Sequence, residues 1–310
     1  MQRLLTGLQS SGALHIGNYF GALKPFVEMY DKYESYLMVA DYHAVTSLRD
    51  PQALRQNIFN VVKDYMAVGV DPTKCVIFQQ SQVQEHTELA WMFECLVTVP
   101  FLELGHAYKD KVAKGLEPNA GLLNYPMLMA ADILLYDTDV VPVGEDQRQH
   151  LEYAREAAAK FNNAYGETFK EPKELINKHI AVIPGTDGKK MSKSYGNTIP
   201  LFGSKDEIAK AVMSIVTNSS EGKPEVLYAI HKNFKVESRL EEPYTQGNNF
   251  KELKEMLVED IETLVAPMRE RRDSISDDDV KGVLKEGSGK AREYASKKMA
   301  DVRRKVGVAL

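Results

Sequence analysis

Cysteine is nearly absent. Cys75 and Cys95 are the only two, and neither belongs to a CxxC pair. That excludes a disulfide framework and leads us to expect a reducing compartment, the cytoplasm. No apolar run approaches the length of a membrane span, and the opening MQRLLTGLQ lacks the basic-then-apolar order of a secretory signal. No membrane partner is therefore expected. Basic charge is not in excess either. A net charge of −5 argues against non-specific coating of nucleic acid, while leaving room for a local basic patch. What is present is ordinary for a globular protein, 44% hydrophobic and 27% charged over 310 residues, enough for two compact domains.

Apolar periodicity gives the coarse plan. Residues 3–9, 34–46, 74–81, 139–144 and 179–184 read as strands. Helical spacing recurs from His15, through the segment opened by Asp50 and Pro51, over 87–97 and 125–136, and in EDQRQHLEYAREAAAKF. Strands alternating with helices imply an α/β fold, a Rossmann-type doubly wound parallel sheet. Beyond Pro200 only helical patterns follow. The expected division is a catalytic domain over 1–195 and a helical domain over 196–310.

Ligands of such sheets bind outside the carboxyl ends of the strands, and three segments stand there. GLQSSGALHIGN carries a glycine turn into a helix N-terminus, where free N–H groups favour phosphate. His15 and Asn18 lie one helical turn apart, and Gly17 permits close backbone approach. GEDQ follows the strand at 139–144. GTDGKKMSKSYGN places Lys189, Lys190 and Lys193 among glycines and serines, a cationic loop suited to an anion. Taken singly, each is an ordinary cap, acidic first turn or solvated loop. Their shared placement at strand ends in one parallel sheet favours a nucleotide site.

HIGN at 15–18 and KMSKS at 190–194 resemble the two signatures of class I aminoacyl-tRNA synthetases. GLQSSGALHIGNYFGAL, DYHAVT and GLLNYPMLMAADILLYDTDVVPVGEDQRQHLE extend the likeness to the tryptophanyl branch over the first two hundred residues. Asn18 stands where a second histidine completes the ideal signature, and Leu5 and Tyr42 replace an aromatic residue and a glutamine. The resemblance implies activation of tryptophan by ATP, with release of pyrophosphate, and transfer to tRNA(Trp). It implies catalytic roles for His15, Asn18, Lys190 and Lys193. ATP would meet Gln9, Ser10, Ser11, Gly17, Asn18, Gly144, Glu145, Asp146 and Val182, together with the loop Lys190, Met191, Ser192, Lys193 and Ser194. Tryptophan would meet His43, Tyr125, Met129, Asp132, Val141, Val143 and Gln147. Tyr125, Met129 and Asp132 share a helix face by their spacing of four and three, and Asp132 suits an indole that can only donate. Mg²⁺ would be held chiefly by the phosphates, with no protein-built metal site. A homodimer is implied, meeting through a connective insertion near 75–120.

Two other readings share these features. A tyrosyl-tRNA synthetase has the same fold, and Asp132 accepts from a phenol as well. A non-catalytic tryptophan sensor or RNA-binding relative would have lost the signature lysines, which are both here. GVLKEGSGK at 282–290 mimics a P-loop but has Ser288 where the lysine belongs, and no strand precedes it. Lys290, Arg292, Lys297, Lys298, Arg303, Arg304 and Lys305 cluster in the last helical pattern, interrupted by Glu293 and Asp301, and stand as a candidate tRNA surface.

Overall fold

Five short stretches pair in parallel: β1 (Arg3–Gln9), β2 (Glu34–Ala40), β3 (Cys75–Gln79), β4 (Val140–Pro142) and β5 (Lys173–Leu175). They form one sheet in the order β3-β2-β1-β4-β5, the doubly wound arrangement. The structure is a computed structural model and describes residues 1–10, 12–115, 117–142, 148–175, 183–217, 223–245 and 249–309. Successive strand side chains point to opposite faces, and two cores result. Leu4, Leu37, Val39 and Ile77 enter one, with Phe20, Tyr65 and Leu257. Leu5, Tyr36, Met38 and Phe78 enter the other, with Phe93, Met127 and Phe161. Burial on both sides explains the continuous apolar run of β2.

The principal helices are α1 (Pro51–Ala67), α2 (Glu85–Glu94), α3 (Ala120–Leu134), α4 (Arg148–Tyr165), α5 (Lys205–Met213), α6 (Phe250–Ser274) and α7 (Asp277–Val306). Local chemistry starts and stops them. Asp50 caps α1 by accepting from the Gln52 and Ala53 amides, and Gly69, at φ +111°, turns the chain out. Ser276 and Asp279 form a reciprocal capping box on α7.

Two expectations change in the structure. The strand expected over 34–46 ends at Ala40 and gives way to a short helix, Asp41–Val45. The cause is the Asp41 carboxylate, which turns inward and accepts from Gln79, Ser81 and the Tyr42 amide. The strand expected at 179–184 falls largely outside the described residues. Within them Pro184 makes only an antiparallel bridge to Lys190, and the fifth strand is Lys173–Leu175. The strand expected at 74–81 is present as Cys75–Gln79, paired with β2 from Ser35↔Cys75 to Val39↔Gln79.

The P-loop mimic has a packing explanation. α7 buries Val280 and Leu284 in the first core and Ala291, Ala295, Met299 and Val302 in the second. It crosses the β3 edge between them. There a Cβ on Gly287 would fall 1.8 Å from the Ile77 carbonyl oxygen, and Ser288 Oγ accepts from the Gln79 amide at 3.2 Å. Small residues are what let helix and strand backbones touch.

The basic residues of α7 are paired within the chain. Lys290, Lys297 and Arg304 meet Glu286, Glu293 and Asp301 along the helix. Arg303 binds Glu88, and Arg292 lies 3.9 Å from Glu85. Lys298 binds Asp137 at 2.6 Å, and Lys305 donates to Thr168 Oγ1 at 2.8 Å. The cluster staples α7 to the sheet domain. Among the described residues no helix is long and apolar enough to cross a membrane.

Candidate active site

β1 and β2 run in register from Arg3↔Glu34 to Gln9↔Ala40, so their carboxyl ends open side by side. After β1 the chain turns at Gly12, whose φ of +125° lies where other residues are strained. It enters a helical run at Ile16–Asn18, which passes through a π turn at Tyr19–Leu23. The Asn18 side chain accepts from the His15 amide at 3.0 Å and locks that entry. The segment after the lysine loop folds back onto it: the Ile16 amide donates to the Ile199 carbonyl and the Leu201 amide to the Leu14 carbonyl, both at 3.0 Å.

The two signatures therefore meet. A Cβ on Gly17 would stand 3.4 Å from Met191 Sδ, and one on Gly12 would stand 3.6 Å from Lys193 Nζ. Met191 is buried, while Lys190 and Lys193 are exposed. His15 is buried, and that burial, reinforced by the Lys193 charge, pulls its pKa down to about 4. It is neutral at physiological pH. Although the Lys193 side chain is exposed overall, the protein packed around it partly desolvates its ammonium and lowers its pKa, opposed by the Asp64 charge. Among the described residues the Ser10 hydroxyl and His15 Nδ1 are buried polar atoms without a hydrogen-bond partner, which in a native fold calls for a reason.

Asn197, buried two residues past the helical turn Lys193–Tyr195, holds the lysine loop. Its Oδ1 accepts from the Ser192 amide at 2.8 Å, and its Nδ2 donates to Asp187 at 2.7 Å and to the Lys190 carbonyl at 3.2 Å. Sequence reasoning missed it, although GN directly after the signature was the available signal.

On the other side of β1 lies a buried carboxylate. Asp132, on α3, accepts from Gln80 Nε2 on Oδ1 at 2.8 Å and meets His43 Nε2 on Oδ2 at 2.7 Å. His86 Nδ1 stands 2.6 Å from Oδ1, and His86 Nε2 pairs with the Tyr136 hydroxyl at 2.8 Å. Burial alone would raise the Asp132 carboxyl, but the imidazoles of His43 and His86 outweigh it and hold the group well below the ordinary range. Tyr125 packs edge-on to His43, with its hydroxyl 2.8 Å from His150 Nε2. Gln9 links the two halves by donating to the His43 carbonyl at 2.8 Å. Gln80, His86, Tyr136 and His150 were not anticipated.

The sequence model of the family described as tRNA synthetases class I (W and Y) matches residues 1–281. The chain belongs to this family. The tryptophan–tRNA ligase of Fusobacterium nucleatum is 48% identical over 99% of this chain and 98% of its own. That of Rhodopirellula baltica is 41% identical over 99% of both. A crystal structure of the tryptophanyl-tRNA synthetase of Campylobacter jejuni, complexed with ADP and tryptophan, superposes with a TM-score of 0.92. It is 43% identical and covers 99% of this chain and 100% of that one.

For a class I synthetase the distribution of the expected residues is informative. The structure brings His15, Gly17, Asn18, Met191 and Lys193 together, and separately His43, Tyr125 and Asp132. Val141 is buried in β4, and Met129 packs against the second core. Of the two departures from the bacterial pattern, Leu5 is buried in that core. Tyr42 is half-exposed on an outer groove, with its amide on Gln80 Oε1. Ser11, Val143, Gly144, Glu145, Asp146, Gln147 and Val182 lie outside the described residues, as does the Ser194 side chain.

Proposed function

We propose that this chain ligates tryptophan to tRNA(Trp). The tryptophan carboxylate attacks the α-phosphorus of ATP, the bond to the β-phosphate oxygen breaks, and pyrophosphate leaves. A tRNA hydroxyl then attacks the activated carbonyl and displaces AMP. One observation carries this reading: Lys193 sits against the Gly12–His15 turn at the mouth of β1, one strand from the buried acceptor Asp132. Phosphoryl chemistry asks the protein mainly for positioning and charge. Neutral His15, the Ser10 hydroxyl and the helix amides offer donors to the triphosphate, and Lys190 and Lys193 neutralise departing pyrophosphate. Asn18 fixes the turn that presents them. Ser11, Gly144, Glu145, Asp146 and Val182 complete the nucleotide site with the loop Met191–Ser194. Val141, Val143, Met129 and Gln147 complete the amino-acid pocket.

Bound to the triphosphate, Mg²⁺ would offset part of its charge. Among the described residues no group of three or more His, Cys, Asp or Glu is arranged to hold a metal, so phosphate oxygens would supply most of its ligands. Residues 1–195 would form the catalytic domain, and the helices over 196–310 would carry the anticodon contact. Lys290, Arg292, Lys297 and Arg304 of α7 stay exposed beside their partners and remain a candidate tRNA surface. We further infer a cytoplasmic homodimer.

ATP–pyrophosphate exchange with tryptophan, tyrosine and phenylalanine in parallel tests this. Exchange driven by tryptophan alone is the expected result. Lys193→Ala should lower its rate by about 10²- to 10³-fold, the usual cost of one transition-state donor. Tyrosine-driven exchange would replace the substrate and keep the mechanism. No exchange with any of the three, from folded protein, would overturn the reading.

A further inference from the structure

The Asp132 carboxylate can be accounted for site by site. A carboxylate offers about four lone-pair positions, two on each oxygen. Gln80 Nε2 donates to Oδ1 at 2.8 Å, His43 Nε2 meets Oδ2 at 2.7 Å, and His86 Nδ1 stands against the second side of Oδ1 at 2.6 Å. One acceptor position remains, on Oδ2. The His86 contact is short and bent, and it misses the geometry of an aligned hydrogen bond. Two bare lone pairs at that separation would repel, so Nδ1 carries the hydrogen. Nε2 then accepts from the Tyr136 hydroxyl, 2.8 Å away. His86 is fully buried and stacked on Phe78 at 20°, so water does not compete for either nitrogen. Its ring is fixed in one orientation and one tautomer.

We propose that His86, backed by Tyr136, is a positioning residue for substrate choice: it keeps Asp132 turned and ready to accept, so that the pocket favours a side chain that donates a hydrogen bond over one that cannot. This rests on the tryptophan reading above and deepens it. His86 is fully buried against Asp132 and acts through it. Without His86, Oδ1 loses a donor, and the carboxylate rotates toward its remaining partners or takes up a proton. Either change removes the acceptor on Oδ2 that an indole N–H needs. A protonated Asp132 presents a donor to a ligand that has no acceptor.

The test compares tryptophan with 3-benzothienylalanine, which has sulfur in place of the indole N–H, in pyrophosphate exchange. His86→Leu should raise the tryptophan KM by about 10- to 100-fold, the scale of one lost hydrogen bond to a charged group. The ATP KM and the kcat at saturation should stay within about threefold. The benzothienyl analogue should show the same KM with parent and variant. His86→Asn, whose Nδ2 can stand where Nδ1 stood, should restore most of the tryptophan KM. His86→Gln should not. If His86→Leu fails to fold, the Asn and Gln variants carry the comparison alone. Equal losses for both amino acids, or none for either, would overturn the proposal. A parent enzyme that exchanges with tyrosine instead of tryptophan would bring down the underlying reading, a result distinct from either of these.

Discussion

His15 shows how one residue ties site to stability. Its pKa is about 4 in the folded chain against an ordinary 6.5, because burial and the Lys193 charge disfavour the imidazolium. The sign follows directly. Below pH 6.5 the unfolded chain takes a proton that the fold refuses, so the contribution of His15 is complete above 6.5 and is lost as pH falls toward 4. Asp64 works the other way. Burial raises its carboxyl from 3.8 to about 6 against the pull of Arg272, so across that window acidification relieves a cost. The two slopes offset each other in the parent protein. Urea unfolding of parent and His15→Gln at pH 7 and pH 4.5 separates them. The parent's advantage over the variant should shrink by about 2–3 kcal/mol at the lower pH, from the size of the shift. An advantage that stays constant would mean that His15 does not titrate this way. The presence of His15, Asn18, Lys190 and Lys193 at a site was legible in the sequence from glycine turns and charge at strand ends. The Asp132 partners were not. Gln80 and His86 are far from it in sequence, and only packing in three dimensions brings a polar group to a buried carboxylate.

Short apolar runs bounded by turn residues mark strands buried in a parallel sheet, and at the level of elements β1, β2 and β3 were readable for that reason. β5 was not. KEL is three residues with two charges, and its strand character comes from pairing with β4 at Val140↔Lys173. The helix at Asp41–Val45 was hidden for the opposite reason, since the apolar run continues past the point where the Asp41 carboxylate turns the chain. α7 is the clearest case of context. Its GSG reads locally as a weak helix and a failed P-loop, yet those residues sit where helix meets strand edge. Gly287→Ala should therefore cost stability, against the usual gain from replacing a helical glycine. With the new methyl directed at the Ile77 carbonyl, about 1–3 kcal/mol of overpacking is expected. Gly289, where an added Cβ would meet nothing within 4 Å, is the control and should gain a few tenths. Denaturant midpoints for the two variants moving the same way would reject this account of α7.

Among the described residues of the molecule as a whole, a large groove with aromatic walls is uncovered. Trp91, the chain's only tryptophan, is 66% exposed. With Tyr42, Val45, Tyr125 and Leu128 it lines a groove of about 820 Å³. Exposed aromatic side chains gathered in a groove mark a surface meant to be covered. Tyr125 lines this groove and also packs against His43, so whatever covers the groove touches a residue that the proposed amino-acid pocket uses. A second copy is the occupant that the homodimer proposal names, and a stable contact of that kind buries roughly 800 Å² on each partner. Because Trp91 is the sole intrinsic indole, its emission without added substrate reports on the groove directly. At micromolar concentration it should be blue-shifted, and on dilution it should move to the red as protomers separate, in step with the sedimentation coefficient. Trp91→Glu should yield a monomer at every concentration and weaken tryptophan-driven exchange through Tyr125, leaving the ATP KM unchanged. A red, concentration-independent emission alongside a dimeric sedimentation coefficient would move the interface to another face of the molecule. A monomer with full exchange activity would detach the groove from the amino-acid site altogether.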